Sequence, residues 1–113
     1  MSGWVGVDFD GTLCAMDGKP VPKMVERIKR FLAQGVEVRI VTARVNSRMT
    51  FEHRNNHTTY IKLWCAQHLS QALEVQAEKD YDMVILYDDR AIAVQTDTGE
   101  CRGWNQMLEV EVD

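Results

Sequence analysis

The stretch that decides the fold is Trp4-Val5-Gly6-Val7-Asp8-Phe9-Asp10-Gly11-Thr12. It begins with an apolar run typical of a buried strand, and a pair of aspartates comes where that strand would end. Because residues two apart in a strand point to the same side, the carboxylates of Asp8 and Asp10 are expected to face one small volume. Gly11 then permits a sharp turn, and Thr12 can cap the next segment of the chain. Such a pair suits divalent-metal binding or a nucleophile with its acid, whereas a plain polar turn is the alternative interpretation.

The composition predicts one globular domain over residues 1–113. The chain has 113 residues, of which 45% are hydrophobic and 27% charged, enough for a core without disulfides or a structural metal. It contains no apolar run that could span a bilayer, so we expect no membrane segment, no membrane partner and no secretory signal. The 3 cysteines are widely spaced, which favours a reducing compartment and a cytoplasmic location. The net charge of -4 argues weakly against a broad nucleic-acid-binding surface.

Strand and helix patterns alternate after the first strand. Apolar residues at helical spacing predict a helix that starts near Pro22 and stops at Gly35, and the β-branched residues 36–41 predict a second strand. A strand, a helix and a strand in succession predict a parallel crossover. A second helix is expected from a cap at Thr58, after a polar stretch. Its apolar side would carry Ile61, Trp64, Cys65 and Leu69.

The second half of the chain adds shorter strands. Residues 73–75 predict a short strand, and the unbroken apolar run at residues 83–87 predicts a central strand buried on both faces. Residues 91–94 would add a last strand, and the alternating tail over residues 107–112 is interpreted as an edge strand that could pair between subunits. Asp17-Gly18 predicts a tight hairpin, interpreted as a small flap over the carboxylates. The fold class is therefore α/β, a single Rossmann-like domain with a central, mostly parallel sheet flanked by helices.

Polar residues lie directly after several of the predicted parallel strands, at the point where each strand ends. Asp8 and Asp10 come after the first strand, Thr42 after the second, and Asp88 and Asp89 after the apolar run. In open parallel sheets the ligand lies beyond these carboxyl ends. Carboxylates that converge there repel one another unless a cation neutralises them, and oxygen-only ligands favour Mg2+. The sequence therefore predicts a Mg2+ site at this edge.

These residues resemble the motifs of a known family. The segment from Asp8 to Thr12, then Thr42 in Val41-Thr42-Ala43-Arg44, then Lys79, then Asp88-Asp89 match in type and order the motifs of the haloacid dehalogenase-like superfamily. The resemblance extends from residue 4 to about residue 95. It implies that Asp8 is a nucleophile that forms an aspartyl phosphate, and that Asp10 protonates the leaving oxygen and then activates water. Members that carry an acid at position 10 are phosphatase-like rather than dehalogenases.

The resemblance implies further roles around the phosphoryl group and the metal. Thr42 would donate a hydrogen bond to a phosphoryl oxygen, and Lys79 would offset the negative charge of nucleophile and phosphate. The Mg2+ ligands would be the carboxylate of Asp8, the backbone carbonyl of Asp10, and Asp88. Asp89 would be either a further direct ligand or one that acts through water. The substrate-binding residues would be Phe9, Gly11, Thr12, Ala43, Arg44 and Arg90, through backbone N–H groups and guanidinium groups. The two arginines could equally be surface ion-pair partners.

The length of the chain bears on the substrate. Family members that act on small metabolites usually carry a cap domain between the motifs, and the chain has no room for one. A site without a cap implies a macromolecular substrate or a homo-oligomer whose subunit covers the site. The expected activity is a Mg2+-dependent phosphomonoester hydrolase acting on a phosphorylated substrate of unspecified identity.

Two alternatives remain beside the phosphatase. One is a non-catalytic phosphate- or Mg2+-binding regulatory module. The other is a phosphatase for nucleic-acid ends, with the locally basic segment over residues 44–57 as its binding surface. A zinc set that combines His53, His57, Cys65 and His68 is disfavoured, because these residues match no known zinc pattern closely.

Overall fold

A four-stranded parallel sheet lies at the centre of the computed structural model, which describes residues 2–102, 104–105 and 110–111. Its strands are β1 (Trp4–Val7), β2 (Glu37–Val41), β3 (Glu74–Gln76) and β4 (Met83–Tyr87). Their order across the sheet is β3-β2-β1-β4, and every neighbouring pair is parallel. The carboxyl ends of all these strands therefore meet at one edge, which is the edge where the sequence predicts the ligand.

Helix α1 (Pro22–Ala33) connects β1 to β2 and confirms the predicted crossover. Pro22 occupies the first turn, where its missing N–H costs no hydrogen bond. Met24 and Ile28 lie on the buried face, as the helical spacing predicts. Gly35, just past the helix end, adopts a φ of 77°, a left-handed conformation that favours glycine and stops the helix.

Helix α2 (Phe51–Leu69) begins earlier than the sequence predicts. A single 3₁₀ turn over Ala43–Val45 leads into it, and the Thr50 side chain caps its start by accepting a hydrogen bond of 3.2 Å from the His53 N–H. The predicted start at Thr58 is wrong. The first two turns are exposed and polar, so the apolar pattern begins only at Ile61, where the helix reaches the core.

Both helices pack on one face of the sheet. Alternate residues of β1 and β2, such as Val5 and Ile40, point to this face and are buried, while their chain neighbours point to the other. The core consists of Val5, Val7, Phe9, Leu13, Cys14, Met24, Ile28, Val38, Ile40, Ile61, Trp64, Cys65, Leu69 and Leu73. This arrangement agrees with two right-handed crossovers in the same direction across the sheet. It holds the start of β1 firmly, with Asp8 at its end.

The opposite face of the sheet is lined differently. Trp4 is buried on it beneath the guanidinium of Arg39, which lies 4.5 Å from the ring centroid, and its Nε1–H donates to Asp80 at 2.8 Å. The prediction that β4 is a central strand buried on both faces is wrong. Within the described part of the chain β4 is an edge strand, and Val84 and Ile85 are 56% and 44% exposed. An uninterrupted apolar run does not by itself distinguish a central strand from an edge strand.

The remaining segments form small antiparallel pairs. The predicted hairpin is present, with a bridge between Cys14 and Pro20 and Gly18 at a φ of 89° in its turn. Strands β5 (Ala93–Val94) and β6 (Cys101–Arg102) pair with each other, as do β7 (Trp104–Asn105) and β8 (Val110–Glu111). The strand predicted at residues 91–94 thus lies outside the parallel sheet.

The predicted tail strand falls partly outside the described residues. Residues 107–109 and 112 belong to that undescribed part, whereas β8 pairs within the chain. Among the helices that the structure describes, neither α1 nor α2 is long and apolar enough to cross a membrane.

The two faces of β2 give a direct test of this architecture. Val38 is 4% exposed beneath the helices, whereas Val41 lies on the opposite face and is half-buried. We expect Val38→Ala to lower the free energy of unfolding by about 2–3 kcal/mol, because it removes buried methyl groups and leaves a cavity. The matched change Val41→Ala should cost about 1 kcal/mol or less. Urea unfolding measures both, and equal losses would contradict the one-sided core.

Candidate functional site

A cavity of about 450 Å³ opens at the carboxyl edge of the sheet. Residues at the ends of all four strands and from the 3₁₀ turn form its wall. The lining residues are Asp8, Asp10, Val41, Thr42, Ala43, Arg44, Asn46, Ala77, Asp88 and Arg90. Seven of the residues that the sequence predicts for the site, from Asp8 to Arg90, are therefore brought together in one cavity.

Three carboxylates form an acidic cluster within this site. One oxygen from each of Asp8, Asp88 and Asp89 lies within 4.8 Å of the others. The backbone fixes this meeting, because the Asp8 N–H donates to the Tyr87 carbonyl at 2.8 Å and so extends the pairing of β1 and β4 to residue 88. The acidic cluster is thus a product of strand register rather than of flexible side chains on a loop.

Thr12 ties the acidic cluster to the turn after β1. Its hydroxyl donates to Asp89 Oδ1 at 3.1 Å and accepts the Asp89 N–H at 3.0 Å. The same Oγ1 lies 3.4 Å from Asp8 Oδ2. Thr12 is 8% exposed, so these hydrogen bonds are shielded from solvent and fix Asp89 beside Asp8. The sequence predicts Thr12 as a substrate contact, and the structure gives it this positioning role.

The charge of Asp8 is unfavourable in this setting. Burial raises the pKa of Asp8 to about 7, and the hydrogen bond with Asp89 and the negative charges of Asp88 and Asp89 act in the same direction. A carboxyl group with such a pKa needs a nearby positive charge to remain ionised at neutral pH. The acidic cluster therefore stores electrostatic repulsion that a bound cation would relieve.

The donor set of the acidic cluster fits a hard divalent cation such as Mg2+. Its ligand atoms are all carboxylate oxygens. Asp8 and Asp88 also line the cavity, which has room for water molecules to complete the coordination, whereas Asp89 is not among the lining residues. The Asp10 side chain is not part of the acidic cluster. The prediction that Asp10 contributes its backbone carbonyl as a ligand remains a prediction.

Gly11 leaves the space that Asp89 occupies. It has a φ of 80°, and a Cβ atom added there would lie 2.6 Å from Asp89 Oδ2. A side chain at position 11 would therefore both strain the backbone and push Asp89 away from Asp8. The glycine of the first motif is required by this close approach as well as by the turn.

Asp10 is held by Arg44. Arg44 Nε donates to Asp10 Oδ2 at 2.8 Å and Arg44 Nη2 donates to Asp10 Oδ1 at 2.7 Å, a bidentate ion pair. The hydrogen bond and the charge of Asp10 raise the pKa of the Arg44 guanidinium. From the sequence, Arg44 could be either a substrate contact or an ion-pair partner. The structure shows the ion pair, and Arg44 and Asp10 both line the cavity.

Three further residues flank Arg44: Phe9, which the sequence predicts for the site, and Tyr60 and His57, which it does not. The guanidinium carbon of Arg44 lies 5.5 Å from the ring centroid of Phe9 and 5.8 Å from that of Tyr60. Its Nη1 lies 3.4 Å from Nδ1 of His57. Tyr60 and His57 both lie on α2. The residues at the start of this helix are mostly polar, so the sequence gives no periodic apolar pattern from which the position of either side chain could be predicted.

Thr42 is buried at the end of β2 with 3% exposure. Its N–H donates to the Gln76 carbonyl at 2.8 Å, which joins the ends of β2 and β3, and its hydroxyl accepts the Arg44 N–H at 3.2 Å. The hydroxyl proton remains available to a ligand in the cavity. Ala43 and Arg90 line the same cavity, as predicted.

Lys79 lies apart from this group. It is exposed in the connection between β3 and β4, and within the described residues it is not among those that line the cavity. Its neighbour Asp80 binds the Trp4 indole at the amino end of β1, the opposite end from the acidic cluster. Lys79 is therefore not part of the cavity lining in the described residues, and its role remains a prediction.

Gly11 and Gly18 have similar φ values and provide a matched test of the contact between Gly11 and Asp89. Both Gly11→Ala and Gly18→Ala place a side chain at positive φ and should lose about 1–2 kcal/mol of stability. A Cβ at Gly18 meets no atom within 4 Å, so only Gly11→Ala should displace Asp89. We expect Gly11→Ala alone to weaken Mg2+ binding, measured by titration calorimetry. Equal Mg2+ affinity in the two variants would contradict a cation site that includes Asp89.

Similarity to known proteins adds no family assignment. Comparison of the chain with protein-family models, with curated proteins and with solved structures finds no match. The function therefore has to be inferred from the acidic cluster, the Asp10–Arg44 pair and the cavity between them, together with the resemblance of four short motifs.

Proposed function

We propose that the protein is a Mg2+-dependent phosphomonoester hydrolase that acts through an aspartyl phosphate on Asp8. One observation carries the proposal: Asp8 belongs to the acidic cluster and also lines a cavity whose other lining residues include Arg44 and Arg90. Asp8 therefore lies near carboxylate oxygens that can bind a metal ion and near arginine residues that can bind a phosphate. Together they suit a phosphorylated substrate, which requires both kinds of group.

The residues support a two-step reaction. In the first step, an oxygen of Asp8 forms a bond to phosphorus while the bond between phosphorus and the ester oxygen breaks, and that oxygen takes a proton from Asp10. In the second step, Asp10 takes a proton from water as the water oxygen attacks phosphorus. Inorganic phosphate leaves, and the carboxylate of Asp8 is restored. The hydroxyl of Thr42 would donate to a phosphoryl oxygen in both steps.

Arg44 gives this reaction a way to switch the state of Asp10. In the bidentate pair Asp10 is an ionised acceptor, which is the form that activates water. A phosphoryl group in the cavity would compete with Asp10 for the same guanidinium, because its oxygens match that fork of donors equally well. Once Arg44 turns to the phosphate, Asp10 is released to carry the proton that the leaving oxygen needs.

The acidic cluster would hold the cation. Asp88, Asp89 and Asp8 supply the carboxylate oxygens, and Thr12 keeps Asp89 in place. Bound Mg2+ would neutralise charge on the phosphoryl group and keep Asp8 ionised as a nucleophile. We propose further that no cap domain covers the site and that it is open at the edge of the sheet. Such a site favours a phosphate carried on a large molecule, or a second subunit that covers the site.

A non-catalytic module that binds Mg2+ and phosphate is the rival proposal. Two observations favour it: Arg44 already engages both oxygens of Asp10, and Lys79 is not among the residues that line the cavity. In such a module the Asp10–Arg44 pair would be a permanent support for the cavity wall. Binding without turnover distinguishes it from the enzyme.

Replacement of the nucleophile tests the catalytic proposal. We expect the native chain to hydrolyse members of a panel of phosphorylated metabolites and of oligonucleotides with 3′- or 5′-phosphates, in the presence of Mg2+ and not with chelator. Asp8→Asn should lose activity by a factor of about 10⁴ or more, because an amide cannot form the acyl phosphate. Released phosphate is the measurement, and trapping of the acyl phosphate with hydroxylamine identifies the intermediate.

Exposed Glu26 on α1 offers the control. Glu26→Gln removes one negative charge, as Asp8→Asn does, and should leave turnover unchanged. Activity retained in Asp8→Asn would remove Asp8 as the nucleophile. Saturable binding of inorganic phosphate and Mg2+ without hydrolysis of any panel member would favour the binding module instead.

The raised pKa of Asp8 leads to a prediction about stability. Because this pKa is about 7 in the folded protein, above the ordinary value of the unfolded chain, the folded state holds a proton that the unfolded state has lost. The contribution of Asp8 to stability is therefore full at low pH and is lost as the pH rises through about 7. We expect Asp8→Asn to raise the melting temperature of metal-free protein at about pH 8 by several degrees.

Added Mg2+ should reduce this gain, because only the native Asp8 contributes a charged ligand. Melting curves of native protein, Asp8→Asn and Glu26→Gln, with chelator and with Mg2+, measure the effect. A native protein whose metal-free stability does not fall between about pH 5 and 8 relative to Asp8→Asn would contradict the prediction.

A further inference from the structure

A pair of histidines on the exposed side of α2 forms a second cluster of metal-binding side chains. His53 and His57 are one helical turn apart, and their Nε2 atoms lie 2.8 Å from each other. Their ring centroids are 4.4 Å apart. His53 is exposed and His57 is half-buried, so the pair faces solvent. The proposed hydrolase reaction does not use it.

The neighbour of His57 determines where its proton lies. The guanidinium of Arg44 has only donors, so the contact of 3.4 Å between Arg44 Nη1 and His57 Nδ1 requires a lone pair on Nδ1. We assign the proton of neutral His57 to Nε2 on this ground, and Nε2–H would then donate to His53 Nε2 across the 2.8 Å contact. Burial first, then the charges of His53 and Arg44, lowers the pKa of His57 and favours this neutral form.

The distance between the two Nε2 atoms is close to that of two imidazole ligands on one ion, which a small rotation of the rings would aim at a common point. Two nitrogens at about 2.0–2.1 Å from a metal lie about 2.9 Å apart when the ligand angle is 90°, and about 3.3 Å apart at a tetrahedral angle. The observed separation of 2.8 Å is near the first value. Ions with square or octahedral coordination and an affinity for imidazole, such as Ni2+ and Cu2+, meet this requirement.

We propose that His53 and His57 form a transition-metal site, separate from the acidic cluster, and that its occupation is coupled to the position of Arg44. Imidazole nitrogens select ions of this kind, whereas the carboxylates of the acidic cluster select hard ions such as Mg2+. The exposed side of the pair leaves the remaining coordination positions to water.

The coupling arises from the proton on His57. A metal bound to Nε2 of a neutral imidazole requires the ring proton to be on Nδ1. Metal binding therefore moves the proton of His57 from Nε2 to Nδ1. The Nδ1–H then faces the N–H groups of Arg44, and two donors cannot form a hydrogen bond. Arg44 has to leave His57, while its bonds to Asp10 remain available.

Reciprocity gives this coupling a second consequence. If the metal displaces Arg44 from His57, then a change that removes Arg44 from His57 should strengthen metal binding, and a ligand that does so should bind more tightly by the same factor when the metal is present. A phosphoryl group that attracts the guanidinium into the cavity is one such change. Deletion of the Arg44 side chain is another, and it requires no knowledge of the substrate.

Titration of the untagged full chain with Ni2+, in the presence of excess Mg2+ to fill the acidic cluster, tests the site. We expect one equivalent of Ni2+ to bind, and we expect His53→Ala and His57→Ala to weaken binding by more than about tenfold, since loss of a mere outer-shell partner already costs about 10–100-fold. The control is His68→Ala, because His68 lies at the other end of α2 with its ring 4.4 Å from that of Trp64. It should bind Ni2+ as the native chain does.

Nitrogen NMR of the histidine rings gives an independent readout. In metal-free protein His57 should be the Nε2–H tautomer, and metal binding should convert it to the Nδ1–H tautomer. Because Ni2+ is paramagnetic, the diamagnetic ion Zn2+ is used for this measurement. No Ni2+ binding to the native chain, or equal binding by His53→Ala and His68→Ala, would overturn the site.

The coupling has its own test. Arg44→Ala should bind Ni2+ about fivefold more tightly than the native chain, whereas Arg90→Ala, which removes the same positive charge from another residue that lines the cavity, should not. Unchanged affinity in Arg44→Ala would overturn the coupling. Because metal binding and tautomer are measured without turnover, these results do not depend on whether the chain is a phosphatase.

Discussion

The hydrogen bond from the Asp8 N–H to the Tyr87 carbonyl, 2.8 Å long, is the contact on which the rest of the site depends. It continues the parallel register of β1 and β4 by one residue beyond the last strand pair. The chain separates Asp8 from Asp88 widely, and this register returns them to one another. Without it, the carboxylates would have no reason to share a site, and their mutual repulsion would drive them apart.

A second layer of contacts converts this register into a defined geometry. Thr12 bonds both the backbone and the side chain of Asp89, and Gly11 leaves that side chain its space. On the other wall, Arg44 fixes Asp10 and is in turn flanked by Phe9 and Tyr60. The two aspartates of the first motif, although two residues apart, thus have different partners. Asp8 faces negative charges and Asp10 faces a positive one, so the two carboxylates lie in different electrostatic environments.

The sequence predicts the parts of the site that depend on strand ends. The position of β1, α1 and β2, and the meeting of Asp8, Thr42 and Asp88 at one edge, result from periodicity and from the topology of parallel sheets. These are properties of the backbone pattern, and a single sequence is enough to predict them.

The parts that the sequence does not predict depend on long-range contacts. The first turns of α2 are polar because they face solvent, so no apolar pattern marks them and the role of Tyr60 beside Arg44 is hidden. The exposure of β4 is equally hidden, because residue type does not reveal which neighbour a strand lacks. The bidentate pair of Asp10 and Arg44 joins residues from different loops, and only the fold brings them together.

The exposed position of β4 bears on how the site opens and closes. Asp88 and Asp89 lie just past a strand that pairs on one side with β1, and Val84 and Ile85 on it are exposed, so this strand has less burial to hold it than β1 or β2. Segments of this kind unfold locally at a lower free energy than the whole domain and exchange their amide hydrogens sooner. An opened β4 would carry two carboxylates away from Asp8 while the helices stayed packed on the other strands. Capture of a cation and closure of β4 would then be one thermodynamic event, in which the ion holds an edge strand of the sheet in place.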